Sequence, residues 1–339
     1  MKITFLGTSA SQPSLNRNTT SIALEFNTGE FIMVDCGEAT LLQLMRSPLK
    51  FSRVHTIFIT HLHGDHIYGL PGFLCTLNSQ RTEPLTIYGP RGIKKFCSFF
   101  DQSIREFHLT ITEIDGECLD VCSLKISDHK VEVKACHVSH SAECYSYKFT
   151  QTKVKNKIDI KKVEPVIQQY SAEIISMGYK PPKKLIQRIV NDSEFTLEFQ
   201  CASTGSNVTL KAKDYVIHTP PTSLVIALDN YKCPNIFSFF KECDVLIHES
   251  TYVSKKSCSK EEREQVYTKA LSNHHSTNLM AAQNAIKIDA KRLILTHFSN
   301  RYKFEDGKMV DEDNILEACK DEGYEGEIAI AYDFSEFTL

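Results

Sequence analysis

Short apolar runs separated by turn residues dominate the first 150 positions of the chain. KITFLG (2–7), SIALEF (21–26), EFIMVDCG (30–37), VHTIFIT (54–60) and PLTIYGP (84–90) are each too short for a helix. They are rich in Ile, Val, Phe and Thr and bounded by Gly, Pro, Asn or Asp, which predicts strands. Between them, apolar residues at three-to-four spacing predict helices over 41–49 and 92–107, the second entered through Gly89-Pro90. The pattern returns late in the chain. VTLKAKDYVI (208–217), SLVIALDN (223–230), DVLIHEST (244–251), RLILTHFS (292–299) and EIAIAYDF (327–334) predict strands, with an Ala-rich helix over 278–288. No repeat of 20 to 50 residues is visible. Alternating strands and helices predict a layered α/β domain in two halves.

The segment between the halves has another character. Residues 151–190 carry eight lysines and Arg188 against Asp159, Glu164 and Glu173, a net of +6, while the whole 339-residue chain is at −3. The body is therefore acidic and the insertion basic, so the mild overall charge excludes a uniformly basic nucleic-acid binder but not a local grip. A helix is predicted over 163–177, ended by Gly178 and Pro181-Pro182. The division expected is 1–150 for the first half, 151–198 for a basic arm and 199–339 for the second half.

With 42% hydrophobic and 24% charged residues the composition is that of a folded globular protein. No window reaches the ~18 apolar residues of a membrane span. None of the twelve cysteines forms a C-x-x-C pair, and no signal peptide precedes KITFLG. Reduced thiols are the expectation, and with them a cytoplasmic or nuclear protein that is not secreted.

The chemistry concentrates at Thr60-His61-Leu62-His63-Gly64-Asp65-His66, directly after an apolar strand. A tight turn at Gly64 can point His61 and His63 to one place, and Asp65 and His66 to another nearby, so that two metal ions are held. Imidazole with an interleaved carboxylate suits zinc. Four residues do not complete two shells. Asp229 and His297 stand at the ends of buried strands, where sheets present functional groups, and either His137 or His140 follows the apolar stretch from Val131.

HLHGDH after a strand is the signature of the metallo-β-lactamase superfamily. The surrounding text resembles one family within it, ribonuclease Z, the tRNA 3′-processing endonucleases. The similarity runs through Phe5-Leu6-Gly7-Thr8-Ser9, Arg17-Asn18, Asp35-Cys36-Gly37-Glu38, Gly69-Leu70-Pro71-Gly72 and Ile87-Tyr88-Gly89-Pro90. It continues in His248-Glu249-Ser250-Thr251, His275-Ser276-Thr277 and Leu295-Thr296-His297-Phe298-Ser299-Asn300-Arg301-Tyr302. Two motifs depart from the pattern. Asp229 lies in Leu-Asp-Asn where the family has Gly-Asp-Thr, and Gly178-Tyr179-Lys180-Pro181-Pro182-Lys183-Lys184 replaces a Gly-Pro-rich arm motif.

The resemblance implies an αββα metallo-β-lactamase sandwich with an inserted basic arm that grips tRNA. It implies two Zn2+ per subunit, with Mn2+ or Fe2+ as substitutes. One ion falls to His61, His63 and His140, the other to Asp65, His66 and His297, and Asp229 bridges. His140 is thereby preferred to His137. Asp65 is the expected proton acceptor, and His275 the expected general acid oriented by Glu249. His248 is assigned an orienting role behind a ligand. Lys180, Lys183, Lys184 and Arg301 are the expected substrate contacts. The reaction implied removes the 3′ trailer of pre-tRNA, leaving a 3′-OH on the tRNA and a 5′-phosphate on the trailer, in a homodimer. The alternatives are a phosphodiesterase of the same fold acting on small or cyclic phosphodiesters, and a non-catalytic RNA-binding relative.

Overall fold

The computed structural model describes residues 1–81, 83–100, 108–153, 157–192, 194–217, 220–305 and 307–339. The chain forms two compact units, the first made of 1–127, 131–150 and 222–339, the second of 128–130 and 151–221.

The first unit contains two seven-stranded sheets. In one the order is Glu336–Thr338, Lys2–Gly7, Ser21–Glu25, Phe31–Val34, Val54–Phe58, Leu85–Gly89 and Leu109–Glu113. In the other it is Glu327–Ile330, Ala290–Thr296, Cys243–Glu249, Thr222–Ala227, Cys144–Lys153, His129–Val138 and Cys118–Ile126. Successive side chains on a strand alternate between faces, and here both faces are buried. Ile3, Ile32, Val34 and Phe58 join Leu224, Ile226, Val245, Ile247 and Ile294 in one core between the sheets. Their alternates, Met33, Ile57 and Ile59, pack under the helices Leu70–Asn78 and Ile93–Ser98 on one outer face. Val225, Leu246, Leu293 and Leu295 do the same under Asn278–Lys287 and Glu312–Asp321 on the other. This is the αββα metallo-β-lactamase sandwich.

Arg17 fastens the ends of this unit together. Its buried guanidinium lies 4.7, 4.7 and 4.8 Å from the ring centres of Phe298, Phe304 and Tyr332. It donates from Nη1 to Thr8 Oγ1 and to the Ala331 carbonyl, each at 2.6 Å. Ring faces thus surround a charge that carries only two hydrogen bonds.

The second unit has its own core of Val163, Ile167, Ile174, Leu185, Ile189, Leu197, Leu210 and Val216. The expected end of the arm at 198 falls within the strand Thr196–Gln200, which pairs antiparallel with Asn207–Lys211; the hairpin belongs to this core, so the unit runs to Pro221. Over 151–221 the net charge is +4. The single helix predicted over 163–177 is two, Ile160–Gln169 and Ser171–Ser176, broken at Tyr170. The first is capped by Asp159, whose side chain accepts from the Lys162 N–H.

Other sequence expectations need adjustment. The helix predicted over 92–107 is Ile93–Ser98, and 101–107 lie outside the described residues. The strand predicted over 208–217 is interrupted by a turn of helix at Ala212–Asp214. Cys118 and Cys136, brought to a Cα separation of 4.1 Å by neighbouring strands, form a disulfide, so the expectation of wholly reduced thiols does not hold for this pair. The other ten cysteines are free. Among the described residues no helix is long and apolar enough to cross a membrane.

Candidate metal centre

Val54–Phe58 runs parallel to both Phe31–Val34 and Leu85–Gly89. In the second sheet Thr222–Ala227, Cys243–Glu249 and Ala290–Thr296 are likewise parallel. The candidate groups emerge where these strands end, as in other open α/β sheets. His61 and His63 follow Phe58, and His63 is the cap residue before the short helix Gly64–Ile67, which carries Asp65 and His66. Asp229 lies two residues past Ala227, Glu249 closes its strand, and His297 comes one residue after Thr296. His140 is secured to the Asp229 loop by Ser139 N–H donating to the Lys232 carbonyl at 2.9 Å and Tyr231 N–H to the Ser139 carbonyl at 3.1 Å.

Seven predicted residues converge in two clusters. In the first, His140 Nε2 lies 3.2 Å from His63 Nδ1, and Asp229 Oδ2 is 3.7 Å from His61 Nε2 and 3.6 Å from His140 Nε2. In the second, His66 Nε2 and His297 Nε2 are 3.3 Å apart and stand 3.5 and 3.6 Å from Asp65 Oδ2. Asp229 Oδ1 faces this second pair, at 3.3 Å from His66 Nε2 and 3.1 Å from His297 Nε2. Each oxygen of one carboxylate therefore serves a different cluster. The donor atoms within each cluster lie inside 4.8 Å of one another. His137 packs instead against the Tyr145 ring, with centroids 5.7 Å apart, outside both clusters.

A further layer holds these groups in place. Buried Asp35 accepts from the Thr60 N–H and Oγ1, each at 2.8 Å, and lies 2.7 Å from His66 Nδ1. The other ring nitrogen of His140 meets the His274 carbonyl at 2.9 Å, and that of His297 meets Thr251 Oγ1 at 3.0 Å. Such outer partners fix the face a ligand imidazole presents. Asp65 Oδ2 accepts from the Ser11 N–H at 2.7 Å. Asp35, His274 and His297 hold left-handed backbone, with φ of 60°, 61° and 57°. Such conformations persist only where the surroundings impose them. In the sequence Asp35 follows a buried strand within the Asp35-Cys36-Gly37-Glu38 motif, and neither signal assigns it this role.

The electrostatics fit a divalent cation. Burial lowers the pKa of His61, His63 and His140, keeping these rings neutral with lone pairs free. Burial opposes the charge of Asp65, yet the adjoining His66 and His297 hold its carboxyl well below the usual carboxylate range. His61 Nε2 and Asp229 Oδ1 are buried without a hydrogen-bond partner. Orphaned buried atoms are costly, and neutral His66 and His297 rings whose Nδ1–H groups serve Asp35 and Thr251 turn two Nε2 lone pairs toward each other at 3.3 Å. Nitrogen and carboxylate donors of this kind satisfy zinc and similar ions.

Beside the clusters, His275 Nδ1 lies 3.1 Å from Glu249 Oε2, and the fully buried Glu249 also accepts from Thr251 Oγ1 and, at 2.6 Å, from the Asn230 N–H. Burial alone would lower the His275 pKa; the charge and hydrogen bond of Glu249 outweigh it and raise the ring to about 9. His275 lines an open cleft of about 560 Å³ together with His63, Asp65, Tyr68, His140 and Asp229.

Other expectations fall elsewhere. His248 turns away from the clusters, its Nε2 accepting from Asn284 Nδ2 at 3.0 Å, so it orients none of the ligands. Arg301 is exposed, stacks 4.4 Å over Tyr252 and donates to Ser299 Oγ at 2.8 Å. Lys180, Lys183 and Lys184 belong to the second unit. His218 lies outside the described residues.

A family model described as Anti-Pycsar protein Apyc1 matches residues 1–176. Ribonuclease BN of Proteus mirabilis is 35% identical over 315 residues, covering 89% of this chain and 90% of that protein. Ribonuclease Z of Bacillus cereus is 34% identical over 311 residues, with coverages of 89% and 90%. The crystal structure of the short form of human tRNase Z matches at a TM-score of 0.61 and 26% identity, covering 100% of this chain and 99% of that one. The metallo-β-lactamase fold protein YhfI from Bacillus subtilis matches at 0.60 and 16% identity, covering 99% and 98%, a likeness of fold alone.

Proposed function

The chain belongs to the ribonuclease Z family and, through its first 176 residues, to the family described as Anti-Pycsar protein Apyc1, and from that premise we propose that it is an endoribonuclease removing the 3′ trailer of pre-tRNA. The observation that carries the reading is the division of Asp229 between two clusters, Oδ2 toward His61 and His140, Oδ1 toward His66 and His297. That is the donor arrangement of a two-ion hydrolytic centre.

His61, His63 and His140 would hold one ion, Asp65, His66 and His297 the other, with Asp229 bridging. Zn2+ suits these donors, and Mn2+ or Fe2+ are substitutes. Bound divalent ions supply Lewis acidity, making water a nucleophile at neutral pH and offsetting charge on the phosphoryl oxygens. The protein's own groups handle the protons. Asp65, fixed by the Ser11 N–H, accepts the proton of the attacking water. As the new P–O bond forms, the bond from phosphorus to the 3′ oxygen breaks. His275, its Nδ1 engaged by Glu249, gives its other ring proton to that departing oxygen. The tRNA keeps a 3′-OH and the trailer a 5′-phosphate.

The second unit supports a nucleic-acid substrate. Lys180, Lys183 and Lys184 sit in a compact unit of net +4, and lysines bind phosphates without reading sequence. Arg301 is the further contact. The same reading carries a cytoplasmic protein, with the nucleus as the other compartment, acting as a homodimer. Leu42 and Met45, exposed on helix Thr40–Arg46, are apolar groups a second copy would cover.

A second reading, hydrolysis of small or cyclic phosphodiesters, is favoured by one observation: the cleft of about 560 Å³ beside the clusters is lined by residues of the first unit alone, so a small substrate would need no grip from the second. Side-by-side assays of zinc-loaded protein on a 3′-extended pre-tRNA and a small cyclic phosphodiester separate the two. Cleavage of the RNA at the trailer junction supports the first; hydrolysis of the small substrate with the RNA intact replaces it by the second.

A further inference from the structure

Tyr68 is an aromatic side chain left in water at the edge of the reactive centre. It is 65% exposed. It directly follows the helix Gly64–Ile67 and lines the cleft with His63, Asp65, His140 and His275. A scattered exposed aromatic needs no explanation by itself. This one is braced. Its N–H donates to the Gly64 carbonyl at 2.9 Å. A Cβ placed on Gly64 would stand 2.2 Å from Tyr68 Cε2 and 2.6 Å from Cζ, so the ring rests on the bare backbone of the turn that carries His63 and Asp65. Only glycine there leaves room for the ring. The Tyr68 hydroxyl forms no hydrogen bond among the described residues, so polar anchoring does not account for its position.

We propose that Tyr68 is a stacking platform for the base of a nucleotide adjoining the cleaved bond. The inference rests on the endonuclease reading and adds to it a substrate-positioning residue. The other flat rings lining the cleft are already engaged, His63 and His140 with each other in the first cluster and His275 with Glu249, which leaves Tyr68 as the ring free to take a base. Bases at a single-stranded 3′ end are unstacked and available, and an aromatic ring accepts any of the four. A platform of this kind tolerates varied trailers while fixing the phosphate at a constant distance from Asp65 and His275. Precision at that distance governs the rate.

The test uses the metal-loaded full chain, wild type, Tyr68→Phe and Tyr68→Leu, on a 3′-extended pre-tRNA and on two versions of it made abasic at one or the other nucleotide flanking the cleaved bond. Tyr68→Leu should lower kcat/KM by about tenfold on the intact RNA with metal content unchanged, and Tyr68→Phe should stay within about twofold of wild type. On the RNA lacking the contacted base, wild type should already show that loss and Tyr68→Leu should add nothing. Wild-type rates for Tyr68→Leu, or an undiminished penalty on both abasic RNAs, would overturn the platform while leaving the endonuclease standing. Failure of wild type to cut the intact RNA would remove the endonuclease reading and the platform with it.

Discussion

Asp229 Oδ1 stands 3.1 Å from His297 Nε2, while the other oxygen of the same carboxylate faces His61 and His140. A residue just past one buried strand of the second sheet thus meets a residue just past its parallel neighbour but one, and both meet the turn that follows Val54–Phe58 of the first sheet. The centre is built from both halves of the chain, and Asp229 is the group they share.

Loss of His140 should therefore empty one cluster and spare the other. His140→Ala is expected to lower bound metal by about half, because three donors rather than four remain on that side. His137→Ala should keep the wild-type content. Elemental analysis of both purified variants decides the matter, and metal loss in His137→Ala would reverse the assignment.

Asp35 touches no candidate ion position, yet it accepts three short hydrogen bonds from Thr60 and His66. Asp35→Asn turns an amide N–H2 toward at least one donor and frees the His66 ring. Metal affinity should fall by about 10- to 100-fold, the usual penalty for outer partners of a ligand histidine. Competition against a chromophoric chelator measures it; unchanged affinity would show that packing alone orients His66.

Replacing Lys180, Lys183 and Lys184 together by alanine should weaken pre-tRNA binding and flatten its salt dependence, by about 0.7–0.9 in the log–log slope for each phosphate that is no longer neutralised. All three side chains carry little else. Lys183 lies 3.7 Å from Glu164 in an exposed pair of small worth. Hydrolysis of a small phosphodiester should be unaffected. A parallel loss on both substrates would indicate a folding role for these lysines.

Asp333 predicts a pH dependence of stability. Burial pushes its carboxyl up to about 6, outweighing the hydrogen bonds from Thr8 Oγ1 and the Asn18 N–H and the charge of Arg17. The folded pKa lies above the ordinary value of about 4. The native state therefore holds a proton that the unfolded chain releases, and this stabilisation is full below about pH 4 and lost as pH rises through about 6. Asp333→Asn has no such loss, so its stability relative to wild type should rise by about 2–3 kcal/mol between pH 4 and pH 7. Urea midpoints across that range provide the comparison; parallel curves would place the Asp333 pKa at its ordinary value.

The site was more legible than the frame around it. HLHGDH places four polar metal donors after an apolar strand, and Asp229 and His297 stand out because each ends a run of buried residues. Asp35 does the same after Phe31–Val34, but one carboxylate in Asp-Cys-Gly-Glu does not show in one dimension that it faces His66. The strand Cys118–Ile126 is hard to read because it is the sheet edge and buries only Ile126, whereas His129–Val138, one strand further in, does carry a period-two signal, with buried Val131, Val133 and Ala135 between Lys130, Glu132 and Lys134. Helix Lys260–Ser272 buries only Ala270; its signal is the Ser259–Glu262 capping box, with no apolar stripe to accompany it. The second unit's limit at Pro221 depends on which core the hairpin 196–211 joins, a tertiary choice that the alternation of two polar-edged strands does not decide.

The most direct test of the account is to map both ends produced from a 3′-extended pre-tRNA by metal-loaded protein, by chelator-stripped protein, and after zinc is returned. A single cut at the trailer junction, with a 3′-OH upstream and a 5′-phosphate downstream, abolished by stripping and restored by zinc, is the predicted result. An intact RNA, or cleavage that continues unchanged without metal, would contradict it.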